Sequence, residues 1–235
     1  MPPSNAWSPT FVLVTCEHAG NDVPDEYARC FADADNALAS HRGLDLGASG
    51  VANRLATRLA APLIASTTTR LLVDLNRSLD NPSLFSEFTR DLDTRSRDSI
   101  IREHYTPYRD TVTRTLDALI GSDHRVLHLG VHSCADELNG TERDLDISLL
   151  FDPDRASEAS FSMRWIDAMR ATAPDLRYRT NEPYLGTDDG LTTALRGRFS
   201  SASFAGIEIE VRQGFVDTPG AQRDIGDLLA NTLPD

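Results

Sequence analysis

Short apolar runs separated by helix-like segments constrain the fold of this chain most strongly. The runs, rich in the aliphatic and β-branched residues typical of strands, are "FVLVTC", "PLIAS", "RLLVDLN", "RVLHLGVHS", "LDISLLF" and "GIEIEVRQ". The segments with helical spacing are "PDEYARCFADA", "LGASGVANRLATRL", residues 97 to 120, "SEASFSMRWIDAMRAT" and a last segment from about residue 218. Strands that alternate with helices predict an α/β fold, with a largely parallel or mixed sheet covered by helices on both faces.

Length and composition predict one globular domain over residues 1–235. The chain has a mass of 25.8 kDa, 40% hydrophobic and 25% charged residues, and no linker-like stretch. No apolar run approaches the roughly 20 residues that span a bilayer, so we expect no membrane partner. The opening "MPPSNAWSPT" has neither the basic nor the apolar region of a signal peptide, and we therefore expect a cytoplasmic location.

The charged residues exclude several classes of function. A formal net charge of -13 argues against nucleic-acid binding, which depends on basic residues that neutralise phosphates. All 23 basic residues are arginine, so the chain cannot form a lysine Schiff base. Arginine binds carboxylates through two parallel hydrogen bonds, which favours a carboxylate-bearing substrate. The three widely spaced cysteines indicate reduced thiols rather than a disulfide framework.

Polar residues at three predicted strand ends indicate a common pocket. His18 and His132 each end an apolar strand, and Glu208, Glu210 and Arg212 share one face of the last strand. The pair Asn76 and Arg77 ends the run "RLLVDLN", with Asp74 on the face of Asn76. Residues just past the ends of such strands line the ligand crevice of open α/β sheets. The pocket would collect two imidazoles, one or two carboxylates and an arginine.

This set of side chains is typical of a metal-dependent hydrolase. Neutral imidazoles suit zinc, and a catalytic zinc commonly keeps three protein ligands and one open position. A further carboxylate can then take a proton from water, and an arginine at the rim can hold a substrate carboxylate. The pattern therefore predicts a zinc amidohydrolase, with another divalent metal as the alternative.

The sequence resembles the N-formylglutamate amidohydrolase family. The resemblance rests on motifs that run through most of the chain in the family's order: "CEHAG", "HRGLDLGASGVANRLA", "TRLLVDLNRS", "VHS", "DISLLFDP", "RTNEPYLGTDDGLTTALR" and "IEIEVRQGF". It implies an α/β/α sandwich on a mixed sheet, similar to the zinc carboxypeptidases. The family's order of roles makes His18 and His132 metal ligands and Glu210 the general base. It also implies that Arg70 and the pair Asn76 and Arg77 act on the substrate. We take Asn76 and Arg77 as substrate-binding residues and Arg70 as a catalytic residue that stabilises the oxyanion.

The second metal ligand departs from the carboxypeptidase pattern. That pattern has a glutamate three residues after the first histidine, where this chain has Asn21. The candidates are Asp45, which we take as the ligand, and His41, Glu17 or Asp22 as alternatives. Asp45 also precedes a predicted helix, where a carboxylate commonly caps the first turn.

The substrate implied by the resemblance is a small N-acyl amino acid, with N-formyl-L-glutamate first. Arg212 and Tyr184 are further candidates for substrate binding. Tyr184 lies within "RTNEPYLGTDDG", so residues 181–190 could form a lid or an ordinary surface loop. Two other functions remain open: a noncatalytic small-molecule-binding protein without the metal, suggested by the missing glutamate, and an interaction module that uses the acidic surface.

Overall fold

A mixed six-stranded sheet forms the centre of the computed structural model, which describes residues 7–138 and 140–235. The strands are β1 (Phe11–Cys16), β2 (Leu63–Ala65), β3 (Val126–Cys134), β4 (Glu137–Leu138), β5 (Thr141–Glu142), β6 (Ile147–Leu150), β7 (Tyr178–Thr180) and β8 (Phe204–Arg212). The sheet order is β2-β1-β3-β8-β6-β7, and β4 pairs with β5 in a separate hairpin. Strands β2, β1, β3 and β8 are parallel, whereas β6 and β7 run antiparallel to them.

Helices cover both faces of this sheet. They are α1 (Asp35–Leu38), α2 (Ala48–Leu59), α3 (Thr94–Ile100), α4 (Thr106–Gly121), α5 (Ala156–Thr172), α6 (Leu191–Arg198) and α7 (Pro219–Thr232). One face packs on α2, α5 and α7 through residues such as Leu55, Trp165 and Leu229. The other face packs on α4 and α6 through residues such as Leu116 and Leu195. The predicted α/β/α sandwich on a mixed, largely parallel sheet is confirmed.

The strand order places a crevice between β1 and β3. The chain leaves β1 for β2 on one side and later returns to form β3 on the other side. Crossovers that depart in opposite directions leave the carboxyl ends of two neighbouring strands uncovered. The residues at the ends of β1 and β3 therefore lie beside this crevice.

The predicted strand "RLLVDLN" is wrong, because this segment forms consecutive turns. The backbone N–H of Asn76 donates to Asp74 Oδ1 over 2.9 Å, and Arg70 Nη2 lies 2.7 Å from Asp74 Oδ2. Residues four apart in a strand are separated by about 13 Å along its axis, so the second contact requires a curled backbone. The apolar residues of the run, Leu71 to Val73 and Leu75, are buried in a core cluster without joining the sheet.

The predicted helices are present, with two local differences. The segment "PDEYARCFADA" contains a 3-10 helix, Asp25–Phe31, rather than an α-helix. Between α3 and α4 the chain forms a π-helical turn, Ile101–Tyr105, which ends two residues before Pro107. Proline has no N–H to donate and its ring crowds the carbonyl four residues earlier, and a wider turn relieves that conflict.

Two sequence-based expectations concern the ends and surroundings of the chain. The signal-peptide expectation falls partly on residues 1–6, which lie outside the described residues. Among the helices that the structure describes, none is both long enough and apolar enough to cross a bilayer.

Candidate metal centre and cavity

Two buried histidines meet at the crevice between β1 and β3. His18 follows the end of β1 and His132 lies in β3, and their ring centroids are 5.4 Å apart. Both Nδ1 atoms approach the same oxygen, Asp45 Oδ2, at 3.2 Å for His18 and 2.9 Å for His132. His18, Asp45 and His132 each present one nitrogen or oxygen within 4.8 Å of the others. They form a candidate metal centre.

Each imidazole also has a second buried carboxylate on its other nitrogen. His18 Nε2 lies 2.7 Å from Asp74 Oδ1, and His132 Nε2 lies 3.1 Å from Glu17 Oε2. A neutral imidazole has one N–H, so it can donate to only one of its two carboxylates. If Nε2–H donates to Asp74 or Glu17, then Nδ1 has a lone pair directed at Asp45. Nδ1 and the Asp45 oxygen are then two acceptors at hydrogen-bonding distance, and they repel each other unless a proton or a cation lies between them. Metal-binding histidines are commonly oriented by carboxylates in this manner.

The surrounding groups hold these carboxylates in place. Arg70 bridges two of them, with Nη1 3.2 Å from Asp45 Oδ1 and Nη2 2.7 Å from Asp74 Oδ2. The Tyr108 hydroxyl donates to Glu17 Oε1 over 2.8 Å. With neutral imidazoles, the three carboxylates and one guanidinium leave two negative charges in the protein interior. That is the charge a divalent cation neutralises, so the donors and the charge of the centre both fit such an ion.

Electrostatics inside the centre favour ionised carboxylates. Burial alone would raise the pKa of Glu17, but the hydrogen bond and charge of His132 outweigh it and bring that pKa down to about 2. The pKa of Asp45 is lowered against the same effect of burial, by His18, His132 and Arg70. Burial lowers the pKa of His132, and its bonds to Asp45 and Glu17 raise it well above the ordinary value. The buried anions thus stabilise positive charge between them.

A buried glutamate with an unused oxygen lies beside the centre. Glu210 in β8 is the register partner of His132 in β3, and its Oε2 is buried without a hydrogen-bond partner among the described residues. Burial is the main reason that the pKa of Glu210 is raised to about 7, with Asp45 and Glu208 adding to it and His132 and Arg70 opposing it. Such a carboxylate can accept and release a proton near neutral pH.

A cavity of about 210 Å³ opens above these groups. The residues that line it are His18, His41, Asp45, Arg70, Asn76, Arg77, His132, Ser133, Cys134, Ala135, Arg143, Tyr184, Leu185, Asp188, Asp189, Glu208 and Glu210. Such a small and polar space suits a small charged molecule rather than a macromolecule.

The structure separates the four candidates for the second metal ligand. Asp45 joins both histidines, and it does not cap α2, because the cap residue Gly47 adopts a positive φ of 80° and no side chain caps that end. Glu17 lies behind His132, on the nitrogen opposite Asp45. His41 lines the cavity in an exposed position, and exposed Asp22 is not among the residues that line it.

Two of the predicted substrate-binding groups line the cavity in defined environments. Asn76 Oδ1 accepts the Leu191 N–H at 2.6 Å, and its NH2 group donates to none of the described residues. Arg77 Nη1 donates to the backbone oxygens of Asn76 and Asp189, at 3.0 and 2.9 Å. Tyr184 also lines the cavity, with 46% of its surface exposed.

Arg212 is a correction to the predicted site, because the structure places it outside the cavity. Its guanidinium contacts Glu142 at 2.9 Å, Asp146 at 3.3 Å and Asp136 at 3.7 Å, and lies over the Phe215 ring. Alternation along β8 puts Arg212 on the face of Glu210, but the strand ends there and the acidic residues around the β4–β5 hairpin bind the side chain.

The possible lid, residues 181–190, is attached to the body of the protein at both ends. Asn181 Oδ1 accepts the N–H groups of Phe151 and Gly186 at 3.0 Å. Asp189 Oδ2 accepts the Ser78 N–H at 3.0 Å and the Asn81 side chain at 2.6 Å. The exposed residues of this loop are Glu182, Tyr184, Leu185, Thr187 and Asp188. These bonds describe a wall of the cavity that is held at both ends.

Sequence reasoning missed two parts of this site. Strand alternation puts Asp74 on the face of Asn76 but does not indicate it as the partner of His18, and the sequence offers Glu17 as a metal ligand rather than as the partner of His132. No sequence pattern indicates Arg143, which lines the cavity. Asp74 and Glu17 lie within the motifs "VDLNRS" and "CEHAG", which offered a signal, whereas Arg143 lies beside a short hairpin that no sequence pattern marks.

The fold and the site together define an α/β protein with a buried centre suited to a metal and a small polar cavity above it. Comparison with known families agrees with this class. The model of the N-formylglutamate amidohydrolase family matches residues 10–216, and the chain belongs to that family. Membership supports hydrolase activity.

Solved structures show the same fold. A gene product from Agrobacterium tumefaciens is 27% identical, with a TM-score of 0.81 over 96% of this chain and 90% of its own. N-formylglutamate amidohydrolase from Ralstonia eutropha is 17% identical, with a TM-score of 0.69 over 97% of this chain and 94% of its own. No curated protein matches the chain significantly. The similarity of the fold to that of the zinc carboxypeptidases stays a prediction.

Proposed function

We propose that this protein hydrolyses a linear amide on a small N-acyl amino acid, with N-formyl-L-glutamate as the leading substrate and formate and glutamate as products. The observation that carries the proposal is the position of Glu210. Its Oε2, which has no hydrogen-bond partner in the described part of the chain, is buried in the cavity wall beside the centre formed by His18, Asp45 and His132. A proton acceptor next to a metal centre is the arrangement that amide hydrolysis by water requires.

His18, Asp45 and His132 would hold the metal, which we propose to be zinc. Two nitrogen donors and one carboxylate oxygen form a set that catalytic zinc commonly uses. When bound, the metal supplies a Lewis acid that favours ionised water and a polarised carbonyl. Glu17 and Asp74 would keep the two imidazoles oriented through their Nε2 atoms.

The side chains of the cavity would divide the remaining work. Glu210 accepts a proton from the attacking water at Oε2 and donates it to the departing amine nitrogen. Arg70 lines the cavity with its charge already close to Glu210, and it would stabilise negative charge that develops on the amide oxygen. Arg77 and the NH2 group of Asn76 would bind one carboxylate of the substrate.

The noncatalytic alternative rested on the missing carboxypeptidase-type glutamate. Asp45 Oδ2 lies 3.2 and 2.9 Å from the Nδ1 atoms of His18 and His132, and its use as the ligand in place of that glutamate would weaken that alternative. The acidic interaction module has no comparable support, because the buried polar groups converge on a small cavity. A single domain over residues 1–235 and a cytoplasmic location remain proposals that rest on the sequence.

Formate release from a panel of N-formyl amino acids tests the proposed function. The protein is purified without chelator, its metal content is measured, and zinc is added to one sample and EDTA to another. We expect turnover of N-formyl-L-glutamate that disappears with EDTA and returns with zinc. N-acetyl-L-glutamate is the matched substrate that reports the preference for the acyl group. Zinc-loaded protein that releases formate from no member of the panel would overturn the proposal.

A further inference from the structure

Arg143 is a buried cation in the cavity wall whose charge has no ion-pair partner among the described residues. It follows the hairpin strand β5, lines the cavity and is only 8% exposed. Its Nε and Nη1 atoms are buried and have no hydrogen-bond partner among the described residues. Nη2 donates to the Tyr184 hydroxyl at 3.3 Å, and the guanidinium lies 5.4 Å from the centroid of that ring.

No carboxylate of the described residues forms an ion pair with Arg143, and the residues not described, 1–6 and 139, include no aspartate or glutamate. The other buried arginine differs in this respect, since Arg196 pairs with Glu158 at 3.1 Å. A buried charge without a partner is costly, and so is each buried N–H without an acceptor. An anion that enters the cavity would supply both the opposite charge and the hydrogen-bond acceptors.

The neighbouring arginines show how many anionic groups the cavity can take. Arg70 is already matched by Asp45 and Asp74. Arg77 donates to two backbone oxygens and, within the described residues, has no ion pair. Arg77 and Arg143 are thus two guanidinium groups whose charges remain for a ligand.

We propose that Arg143, supported by Tyr184, binds the second carboxylate of the substrate and so makes the site selective for N-acyl amino acids that carry two carboxylates. This inference rests on the proposed function, in which Arg77 and Asn76 bind the first carboxylate. Nη1 of Arg143 shares the outer edge of the planar guanidinium with Nη2, the arrangement that binds a carboxylate through two parallel bonds, and the second N–H of Nη2 can still donate to Tyr184.

Three substrates and one substitution isolate this contact. N-formyl-L-glutamine lacks the side-chain carboxylate of N-formyl-L-glutamate, and 4-formamidobutanoate lacks the α-carboxylate. For N-formyl-L-glutamate, Arg143→Met should lower kcat/KM by about 30-fold or more, because it removes one partner of a buried charge pair. For one of the two truncated substrates the same substitution should have almost no effect, since its carboxylate partner is already missing. A similar loss with all three substrates would overturn the inference.

A binding measurement separates this inference from the proposed function. Calorimetry with glutarate and butyrate compares a dicarboxylate with a monocarboxylate and needs no turnover. We expect the unaltered protein to bind glutarate more tightly, and Arg143→Met to remove most of that preference. If formate is never released but this preference and its loss are observed, the proposed reaction fails and the dicarboxylate site stands. Equal binding of the two acids by the unaltered protein overturns the inference whatever the activity.

Two control variants distinguish a binding role from a structural one. Arg143→Met should unfold at the same temperature as the unaltered protein or higher, because it removes an unpaired buried charge, and a clearly lower midpoint would contradict the inference. Arg212→Met removes a half-buried arginine near the same hairpin and should lower the midpoint without altering the preference for glutarate. Arg143→Lys keeps the charge without the planar fork and should recover part of the preference.

Discussion

At the scale of single residues, the candidate centre depends on how each histidine is shared between two carboxylates. Asp45 contacts the Nδ1 atoms of both histidines, whereas Asp74 contacts Nε2 of His18 and Glu17 contacts Nε2 of His132. Asp45, the inner carboxylate, thus differs from the outer carboxylates Asp74 and Glu17 by its position between the two rings. The aspartate nearest to both histidines is the best candidate ligand, and the outer carboxylates orient the rings.

Two glutamates on the same face of β8 differ in their environment, and this difference predicts different consequences of substitution. Glu210→Gln keeps the shape and the bound metal but cannot accept a proton, so turnover should fall by about 10²-fold or more. Glu208→Gln is the matched control, since Glu208 is half-buried and lies two register pairs earlier, opposite Gly130. Turnover numbers of both variants, measured with formate release, decide the assignment. A large loss of turnover in the Glu208 variant together with an active Glu210 variant would reverse the assignment of the general base.

The metal assignment of the histidines can be checked with a third histidine as the control. His18→Ala and His132→Ala each remove a nitrogen donor from the centre, and we expect their zinc content to fall to background while the circular dichroism spectrum is kept. His41→Ala removes an exposed imidazole that lines the same cavity, and its zinc content should stay near that of the unaltered protein. Near-stoichiometric zinc in the His18 and His132 variants would refute the assignment.

At the scale of elements, a buried ion pair connects α5, α6 and the cavity wall. Glu158 of α5 lies 3.1 Å from Arg196 of α6, and both side chains are almost fully buried. Glu158 also accepts the N–H groups of Asp152 and Gly206, while Arg196 donates to the backbone oxygens of Gly186 and Gly206. This pair therefore fixes Gly186, within the loop 181–190, against the sheet.

Breaking this pair on one side should destabilise the protein strongly. Glu158→Gln keeps the shape but leaves the Arg196 charge buried without a counter-charge, a change that costs about 3 to 5 kcal/mol. Asp117→Asn breaks the exposed pair with Arg198 and is the matched control, for which the urea midpoint should not move measurably. Equal shifts for the two variants would show that burial does not decide the strength of these pairs.

The sequence predicted most sheet strands and long helices, because their apolar residues recur at the spacing of the element they form. The segment from Arg70 to Asn76 was mistaken for a strand, since its apolar residues are buried by packing outside the sheet. Only the bonds of Asp74 to Arg70 and to the backbone of Asn76 reveal the turn. The short elements β4, β5, β7 and α6 were not predicted, because each has too few residues to show a clear periodicity.

The candidate site was predictable where motifs contain its residues and unpredictable where only tertiary packing brings them in. Family motifs contain His18, Asp45 and His132, and the structure brings all three together. Arg212 was expected in the cavity from strand alternation alone, and the local acidic residues redirect it. Arg143 reaches the cavity through the path of a short hairpin, which a one-dimensional pattern does not encode.

At the scale of the whole molecule, the candidate centre links distant parts of the chain. His18, Asp45 and His132 come from the end of β1, the segment before α2 and the central strand β3. A ligand that binds the folded chain and not the unfolded one stabilises the fold by mass action. The bound metal should therefore contribute to global stability as well as to activity.

Removal of metal should lower the unfolding temperature of the entire protein. At a free zinc concentration of 100 times the dissociation constant, binding adds about 2.7 kcal/mol of stability, which EDTA would remove. Differential scanning calorimetry with zinc, with EDTA and with zinc restored measures this change. His132→Ala is the control, and its unfolding temperature should be the same in all three conditions. If EDTA does not change the unfolding temperature of the unaltered protein, that result argues against a metal bound within the fold.

The position of β8 has a consequence for the making of this protein. It is the last strand in the sequence, yet it lies in the middle of the sheet, between β3 and β6, and it carries Glu210. On the ribosome, the residues proposed to hold the metal emerge long before this strand does. A nascent chain would therefore contain all three of these residues before it contains Glu210, the proposed proton acceptor. With these proposed roles, hydrolysis would begin only after the final strand has inserted into the sheet.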